Sequence, residues 1–297
     1  ARLPEWTEDS FAGFLPNVIS GRVSNRFDFG GRNQTVDAAC GSSLAAVHSA
    51  VMELESGRSD AVIAGGVDTL QSAFAYLSFA KTTALSPRGV CNTFDAAADG
   101  IVISEGLAAV VLKRLVDAER DGDRIYAVIK GVGASSDGRA KGLTAPLPAG
   151  QKRALQRAYD QAGFDLGTVQ LVEAHGTGTV AGDQAELETV TELMADTDVA
   201  ANSVAIGSVK TLIGHTKATA GLAGLIKVAL GLHHRVLPPH AGVKTPNPVF
   251  EKGDTPVYLA QSPRPWVVPE NTPRRAGVSA FGFGGTNFHV AVEEYAA

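Results

Sequence analysis

Apolar positions in this chain recur with two periods, and the alternation between them outlines the elements. A helical spacing joins Leu44, Val47, Val51 and Leu54, which predicts a helix that stops near Gly57. Short apolar runs bounded by small or polar residues predict buried strands at Ala61–Ala64, closed by Gly65-Gly66, and at Gly106–Leu112, Ile125–Val132, Leu171–Ala174, Val204–Ser208, Val278–Phe281 and Phe288–Val292. Between them, helical patterns span Leu115–Asp121, Gln151–Ala162 (ending at Gly163), Asp183–Met194 and Thr219–His233. Near the start, a helix is expected from Trp6 through Ile19, and the polar stretch Gly21–Asp28 leads toward a short strand at Thr35-Val36. Residues 68–100 read as irregular and 238–273 as Pro-rich turns. Strands alternating with helices argue for an α/β fold. The Gly-, Ser- and Pro-rich stretch 133–150 is the candidate boundary between two units, 1–145 and 146–297.

Composition narrows the functional classes. The chain has 297 residues, 44% hydrophobic and 19% charged, with a net charge of −5, an ordinary globular balance. There is no basic stripe with interleaved aromatics, which argues against nucleic acid. No apolar run approaches the ~20 residues of a membrane helix; the best, Gly221–Leu232, is short and carries Lys227. Two cysteines, Cys40 and Cys91, make no disulfide framework, so a reduced, cytoplasmic setting is expected. The start Ala1-Arg2-Leu3-Pro4 has neither Met nor a signal peptide and reads as a piece of something longer.

Cys40 is the first candidate for chemistry. In Val36-Asp37-Ala38-Ala39-Cys40-Gly41-Ser42-Ser43-Leu44 it falls at a turn between strand and helix. Unpaired N–H groups at a helix start favour a thiolate, so a lowered pKa and a nucleophilic sulfur are expected. A buried, inert cysteine is the competing reading. His175 follows a buried strand in Glu-Ala-His-Gly-Thr-Gly-Thr. His215 precedes a long helix in Lys-Thr-Leu-Ile-Gly-His-Thr, whose first residue, Lys210, stands in an otherwise uncharged stretch. Loop ends on α/β layers are where catalytic groups gather. His48, His233, His234, His240 and His289 read as packing, surface or structural hydrogen-bonding residues. No Cys-x-x-Cys or ligand spacing supports a metal, and Gly282-Phe283-Gly284-Gly285 lacks the pattern of a phosphate loop.

Taken together and in this order, Asp-Ala-Ala-Cys-Gly-Ser-Ser, Glu-Ala-His-Gly-Thr-Gly-Thr, Lys-Thr-Leu-Ile-Gly-His-Thr and Gly-Phe-Gly-Gly-Thr-Asn resemble the β-ketoacyl synthase domain of type I polyketide synthases, within the thiolase-like superfamily. The resemblance covers essentially the whole chain. At finer grain, Leu3–Phe11, Asp117–Arg124 and His215–Gly221 look like the iterative synthases that build enediyne polyenes, and polyunsaturated fatty acid synthases look similar there. The resemblance implies a thiolase-like fold of two related αβαβα halves in five layers. It implies that Cys40 carries an acyl group as a thioester, and that malonyl on an acyl carrier protein loses CO₂ and its enolate attacks that thioester. His175 and His215 would hydrogen-bond the malonyl thioester oxygen, where one such donor is worth ~3 kcal/mol. Lys210 would orient the site electrostatically. The N–H groups of Cys40 and Phe283 would form the oxyanion hole, Phe283 would act as a gate, and Thr177 and Thr179 would bond the pantetheine arm. The domain would bind no cofactor of its own; the carrier's phosphopantetheine brings the substrate. A homodimer is implied, with acyltransferase and ketoreductase domains in the same polypeptide.

Two departures stand out. Gly41 occupies a position where these synthases often have alanine or serine, which is expected to alter packing. Only 39 residues precede Cys40, fewer than in the family, so the N-terminal half is expected to be truncated, to lack central strands and to expose buried surface. On that basis the isolated 297 residues are expected to fold poorly. A degradative thiolase would want a second active-site cysteine, and none follows Cys91. A Cys-His-Asn enzyme would not have His215 in third place. A non-catalytic, chain-length-factor-like partner usually lacks the nucleophile, whereas Cys40 is present. A papain-like protease fits neither the local sequence nor the histidine pair.

Overall fold

The computed structural model describes residues 5–139, 142 and 145–296. Parts of the expected boundary (residues 140, 141, 143 and 144) and the beginning of the Leu3–Phe11 stretch lie outside the described residues.

The chain opens with two helices, α1 (Glu8–Ala12) and α2 (Asn17–Phe27), where a single helix was expected. The break falls at Gly13–Pro16. Proline offers no N–H to a preceding turn and disfavours a helical residue before it, yet suits a helix start. Helix α2 then runs through the stretch read as a polar lead and ends at Asp28 in left-handed geometry. Neither helix buries a residue. The expected strand at Thr35-Val36 is also absent among the described residues; the segment joins no sheet.

Helix α3 (Ser42–Glu55) forms as its spacing predicts, burying Leu44, Val47 and Leu54. Strand β1 (Ala61–Asp68) does not stop at Gly65-Gly66 but runs through them. A side chain at Gly66 would meet Ser43 and Thr219 at 3.0 Å, so glycine is what lets the strand pass so close to two helix starts. Helix α4 (Ala73–Lys81) lies inside the stretch read as irregular. It is apolar all round, with no polar face to reveal a period, and Ser72 caps it by accepting the Ala75 N–H at 3.3 Å. Strand β2 (Gly106–Lys113) pairs antiparallel with β1 along its whole length, and α5 (Leu115–Asp121) follows.

Strand β3 (Val128–Ser136) extends into the expected boundary and pairs with the last strand of the chain. The β1–β2 hairpin and the sheet that β3 joins therefore divide between Lys113 and Val128. The Gly- and Ser-rich composition of 131–136 reads as loop but serves close packing. Side chains at Gly131 and Gly133 would collide with the carbonyls of Ala158 and Ala154 on α6 (Pro148–Ala162). The order continues with β4 (Leu171–Glu173), α7 (Val180–Ala195), β5 (Val204–Gly207), α8 (Lys210–Ile213) and α9 (Ala220–His234). A short strand β6 (Val236–Leu237) precedes the region read as turns, and β7 (Val257–Leu259) and β8 (Arg264–Pro265) interrupt it, before β9 (Arg275–Gly282) and β10 (Thr286–Glu293).

The main sheet has the order β3-β10-β9-β4-β5-β7, antiparallel from β3 to β9 and parallel from β9 to β7. One face packs on α6 and α7 through Leu155, Tyr159, Leu187 and Val190. The other packs on α3 and α9, which also meet the β1–β2 hairpin; Leu44, Val47, Ala64, Leu222, Val278 and Val290 share that core. Helices, main sheet, helices and hairpin are thus stacked in layers, an α/β arrangement. The hairpin's outer face is bare, with Leu107 77% and Val111 71% exposed. No described helix is long and apolar enough to cross a membrane.

Candidate active site

Cys40 sits in a 3-10 turn, Ala39–Gly41, directly before α3. Asp37 and Ser42 hold the turn: Ala39 N–H donates to Asp37 Oδ1 (2.9 Å) and Ala38 N–H to Ser42 Oγ (2.9 Å). Ala39 adopts φ +50°, a costly geometry for a residue with a side chain, and such strain clusters at functional turns. The turn between β9 and β10 rests on this one. Thr286 Oγ1 donates to the Ala38 carbonyl at 3.2 Å, and a side chain at Gly282 would strike that same oxygen. This contact brings Phe283 to Cys40. The backbone N–H groups of Phe283 and Cys40 both favour the charged form of the Cys40 sulfur. Phe283 itself is 56% exposed, on a turn where Gly284 and Gly285 take left-handed φ angles.

The expected low thiol pKa is not found. Burial pushes the Cys40 thiol above its ordinary value and outweighs the opposing Lys210 charge and the two N–H groups. The helix-start argument counted the favourable dipole and left out desolvation, which only the packed structure sets.

His175 projects two residues beyond the end of β4. Its own N–H donates to Glu186 Oε1 (2.7 Å) and the next N–H, of Gly176, to Glu186 Oε2 (2.8 Å). A single buried carboxylate on α7 therefore fixes the loop. His215 is held along one segment, Val102–Ser104: its N–H donates to Val102 O (2.7 Å), and its O accepts from Ser104 N–H (2.9 Å). The His215 Nδ1 accepts the Lys217 N–H at 3.0 Å, so in the neutral ring the proton resides on Nε2. Lys217 is turned for this contact by a left-handed φ of +52°, and its ammonium pairs with Asp68 (3.0 Å) and donates to Ser104 O (2.7 Å). The two imidazoles stand edge to face with centroids 5.7 Å apart. Burial first, then the Lys210 charge, drives both pKa values well below the ordinary histidine value, so both rings are neutral donors at neutral pH. Among the described residues His175 Nδ1 has no partner, which leaves hydrogen-bonding capacity in the site.

Lys210 opens α8 behind this wall, 2% exposed. Burial lowers its pKa, while Glu173 and then Glu186 hold it up. Cys40, His175, His215, Thr177, Thr179 and Phe283 line one concave surface. Thr177 and Thr179 join through their hydroxyls (3.1 Å), and Thr179 also caps α7 by accepting the Gly182 N–H (3.2 Å).

The remaining histidines serve packing and structural hydrogen bonding. His240 accepts the Ser208 N–H at Nδ1 (3.1 Å) and meets Thr93 O through Nε2 (3.0 Å). His289 bridges Ser279 Oγ and Tyr159 OH, each at 2.9 Å. His48 packs on Phe288 and His233 on Tyr126. The sequence reading missed Glu173, Asp183, Glu186 and Lys217. One signal was available: Asp183 and Glu186 are three apart in the first two turns of a helix that begins just past the His175 loop, so they share the face turned to it.

Comparison with known proteins shows the family. Residues 4–118 match the family model for the beta-ketoacyl synthase N-terminal domain and residues 126–244 that for its C-terminal domain. A polyunsaturated fatty acid synthase polypeptide of Thraustochytrium sp. is 46% identical over 99% of this chain and 11% of its own length. Polyketide synthase PksN of Bacillus subtilis (strain 168) is 42% identical over 96% of this chain and 5% of its own length. The ketosynthase from module 6 of the bacillaene synthase of Bacillus subtilis 168 superposes with a TM-score of 0.93 at 38% identity, over 98% of this chain and 53% of that one. The chain thus spans about half of the solved ketosynthase and a small part of its curated relatives. It belongs to the β-ketoacyl synthase family.

Proposed function

We propose that the chain is a ketosynthase acting on carrier-bound acyl groups. Cys40 exchanges its S–H for an acyl group brought as a pantetheine thioester; the proton leaves with the pantetheine sulfur. A malonyl thioester then occupies the site, with Thr177 and Thr179 hydrogen-bonding its arm. Its carboxylate departs as CO₂ and leaves an enolate, whose oxygen takes hydrogen bonds from His175 and His215. The enolate carbon attacks the Cys40 thioester, the C–S bond breaks, and the thiolate recovers a proton from solvent. The N–H groups of Cys40 and Phe283 hold the oxyanion in each acyl transfer, Phe283 swings on its glycines to admit the second substrate, and Lys210 sets the local potential.

The observation that carries this reading is a pair of neutral imidazoles, 5.7 Å apart, lining the same surface as Cys40. A general base for the thiol would need no second imidazole; an enolate oxygen uses two donors. The carrier protein, a homodimer, neighbouring acyltransferase and ketoreductase domains and a cytoplasmic setting belong to the same reading. Two products fit: an enediyne polyene, from the local stretches named above, or a polyunsaturated fatty acid, which the 46% identity to such a synthase favours.

The test is acyl loading followed by condensation. Protein containing this chain, incubated with an acyl thioester, is expected to gain the acyl mass on Cys40, and to lose that gain in Cys40→Ala. His175→Ala and His215→Ala are expected to load but to condense with malonyl at least ~100-fold more slowly. A folded protein that never loads would instead be a non-catalytic partner.

A further inference from the structure

One ion pair near the site, its carboxylate buried and its ammonium partly so, is used by none of these steps. Glu173, the last residue of β4, is 1% exposed. Its Oε2 accepts from Lys227 Nζ at 2.6 Å, and its Oε1 accepts the Val209 N–H at 2.5 Å. Lys227 projects from the middle of α9, where it is the sole charged residue between Ala220 and Leu232. Gly224, one turn earlier, gives the carboxylate its room: a side chain there would lie 2.9 Å from Glu173 Cγ. Val209 is the residue before Lys210, and its N–H is one of the unpaired donors of a helix start. A single carboxylate therefore ties together the strand that delivers His175, the turn that presents Lys210 and the helix that follows His215.

A buried pair is a poor source of stability, because desolvating two charges offsets their attraction, and an apolar pair of similar volume often serves as well. Stability alone gives no reason to place a lysine inside an apolar helix. The chain keeps one, and the carboxylate it neutralises is also the main charge supporting Lys210.

We propose that Glu173 and Lys227 are positioning residues for the condensation step: together they fix the Val209–Lys210 turn and so govern malonyl decarboxylation while leaving acyl loading of Cys40 untouched. This rests on the ketosynthase reading above. Glu173 holds the backbone in place, and Lys227 keeps the Glu173 carboxylate aimed at Val209. Loading uses the Cys40 and Phe283 N–H groups, which neither residue contacts.

The experiment measures loading and condensation separately in wild type, Glu173→Gln, Lys227→Met and the double variant, with a melting temperature for each. The probes are a hexanoyl thioester and a malonyl thioester. Wild-type loading and condensation come first; their failure would count against the ketosynthase reading itself. Given an active wild type, each single variant is expected to load within about twofold of it and to condense at least ~10-fold more slowly, since an ångström of misplacement costs up to ~100-fold. Its kcat is expected to fall more than its KM rises. The double variant, with no unpaired buried charge, is expected to regain the melting temperature but not the condensation rate. Recovery of both would make the pair purely structural and overturn the proposal, as would equal losses in loading and condensation, or wild-type condensation in Glu173→Gln.

Discussion

Cys40 shows how two local effects compete at one atom. A helix start and a nearby ammonium favour the thiolate, but burial favours the thiol and wins. The sign of the outcome is testable. With a pKa raised above 9.0, the thiolate fraction stays small at neutral pH and grows with each pH unit. Alkylation of Cys40 by iodoacetamide, followed by peptide mass, is therefore expected to accelerate about tenfold per unit from pH 7 to 9 without levelling. A plateau below pH 8 would contradict it. Lys210→Met is expected to slow the reaction at any pH in that range, because the Lys210 charge opposes the upward shift. The histidines behave oppositely. Their lowered pKa values keep both rings neutral down through pH 6.5, so condensation is not expected to lose a limb to histidine protonation near neutrality.

At the scale of elements, α7 is more than packing for the main sheet. Its first turns carry Asp183, which accepts the Phe94 N–H (2.8 Å), and Glu186, which accepts two N–H groups of the His175 loop. Burial pushes Glu186 up to about 7, against the hydrogen bonds that favour its charged form. A raised carboxyl pKa means the folded state binds the proton more tightly than the unfolded state. The associated stability is full below about 4.5 and is lost as pH rises through about 7. Glu186→Gln cannot titrate. Relative to wild type, its stability is expected to improve between pH 5 and pH 8 by on the order of 3 kcal/mol, measured by denaturant melts. The acceptor lost in the amide costs the same at both pH values and cancels. A pH-independent difference would show that Glu186 titrates as in water. The Gly-rich strand β3 teaches a related lesson: residues that signal a loop in isolation are what allow α6 to lie on the sheet.

Over the whole molecule, order is unevenly distributed. The main sheet is covered on both faces, whereas α1 and α2 bury nothing and the β1–β2 hairpin shows Ile63, Leu107 and Val111 to solvent. Hydrogen exchange on the purified 297-residue chain is expected to be fast across 8–27, intermediate in the hairpin and slowest in β9 and β10. The chain is also expected to bind an apolar dye at the bare hairpin face. Uniform protection with no dye binding would show that the face is covered in solution.

The sequence by itself determined the α/β alternation, most helices of the second half, and the residue types of the site. Cys40, His175, Lys210 and His215 stood out because each lies just after a short apolar strand or just before a helix, where period and punctuation are locally encoded. Helix α4 and the split of α1 from α2 were obscured, the first by its all-apolar surface and the second by a proline read as part of a helix. Tertiary structure alone decided three things. It set which sheet β3 joins, since pairing with β10 depends on chain far away in sequence. It set the protonation states of Cys40 and the two histidines, since desolvation is a property of the packed interior. It also brought Glu173, Glu186 and Lys227 into play, because a buried charge is recognisable only once its partner from another element lies beside it.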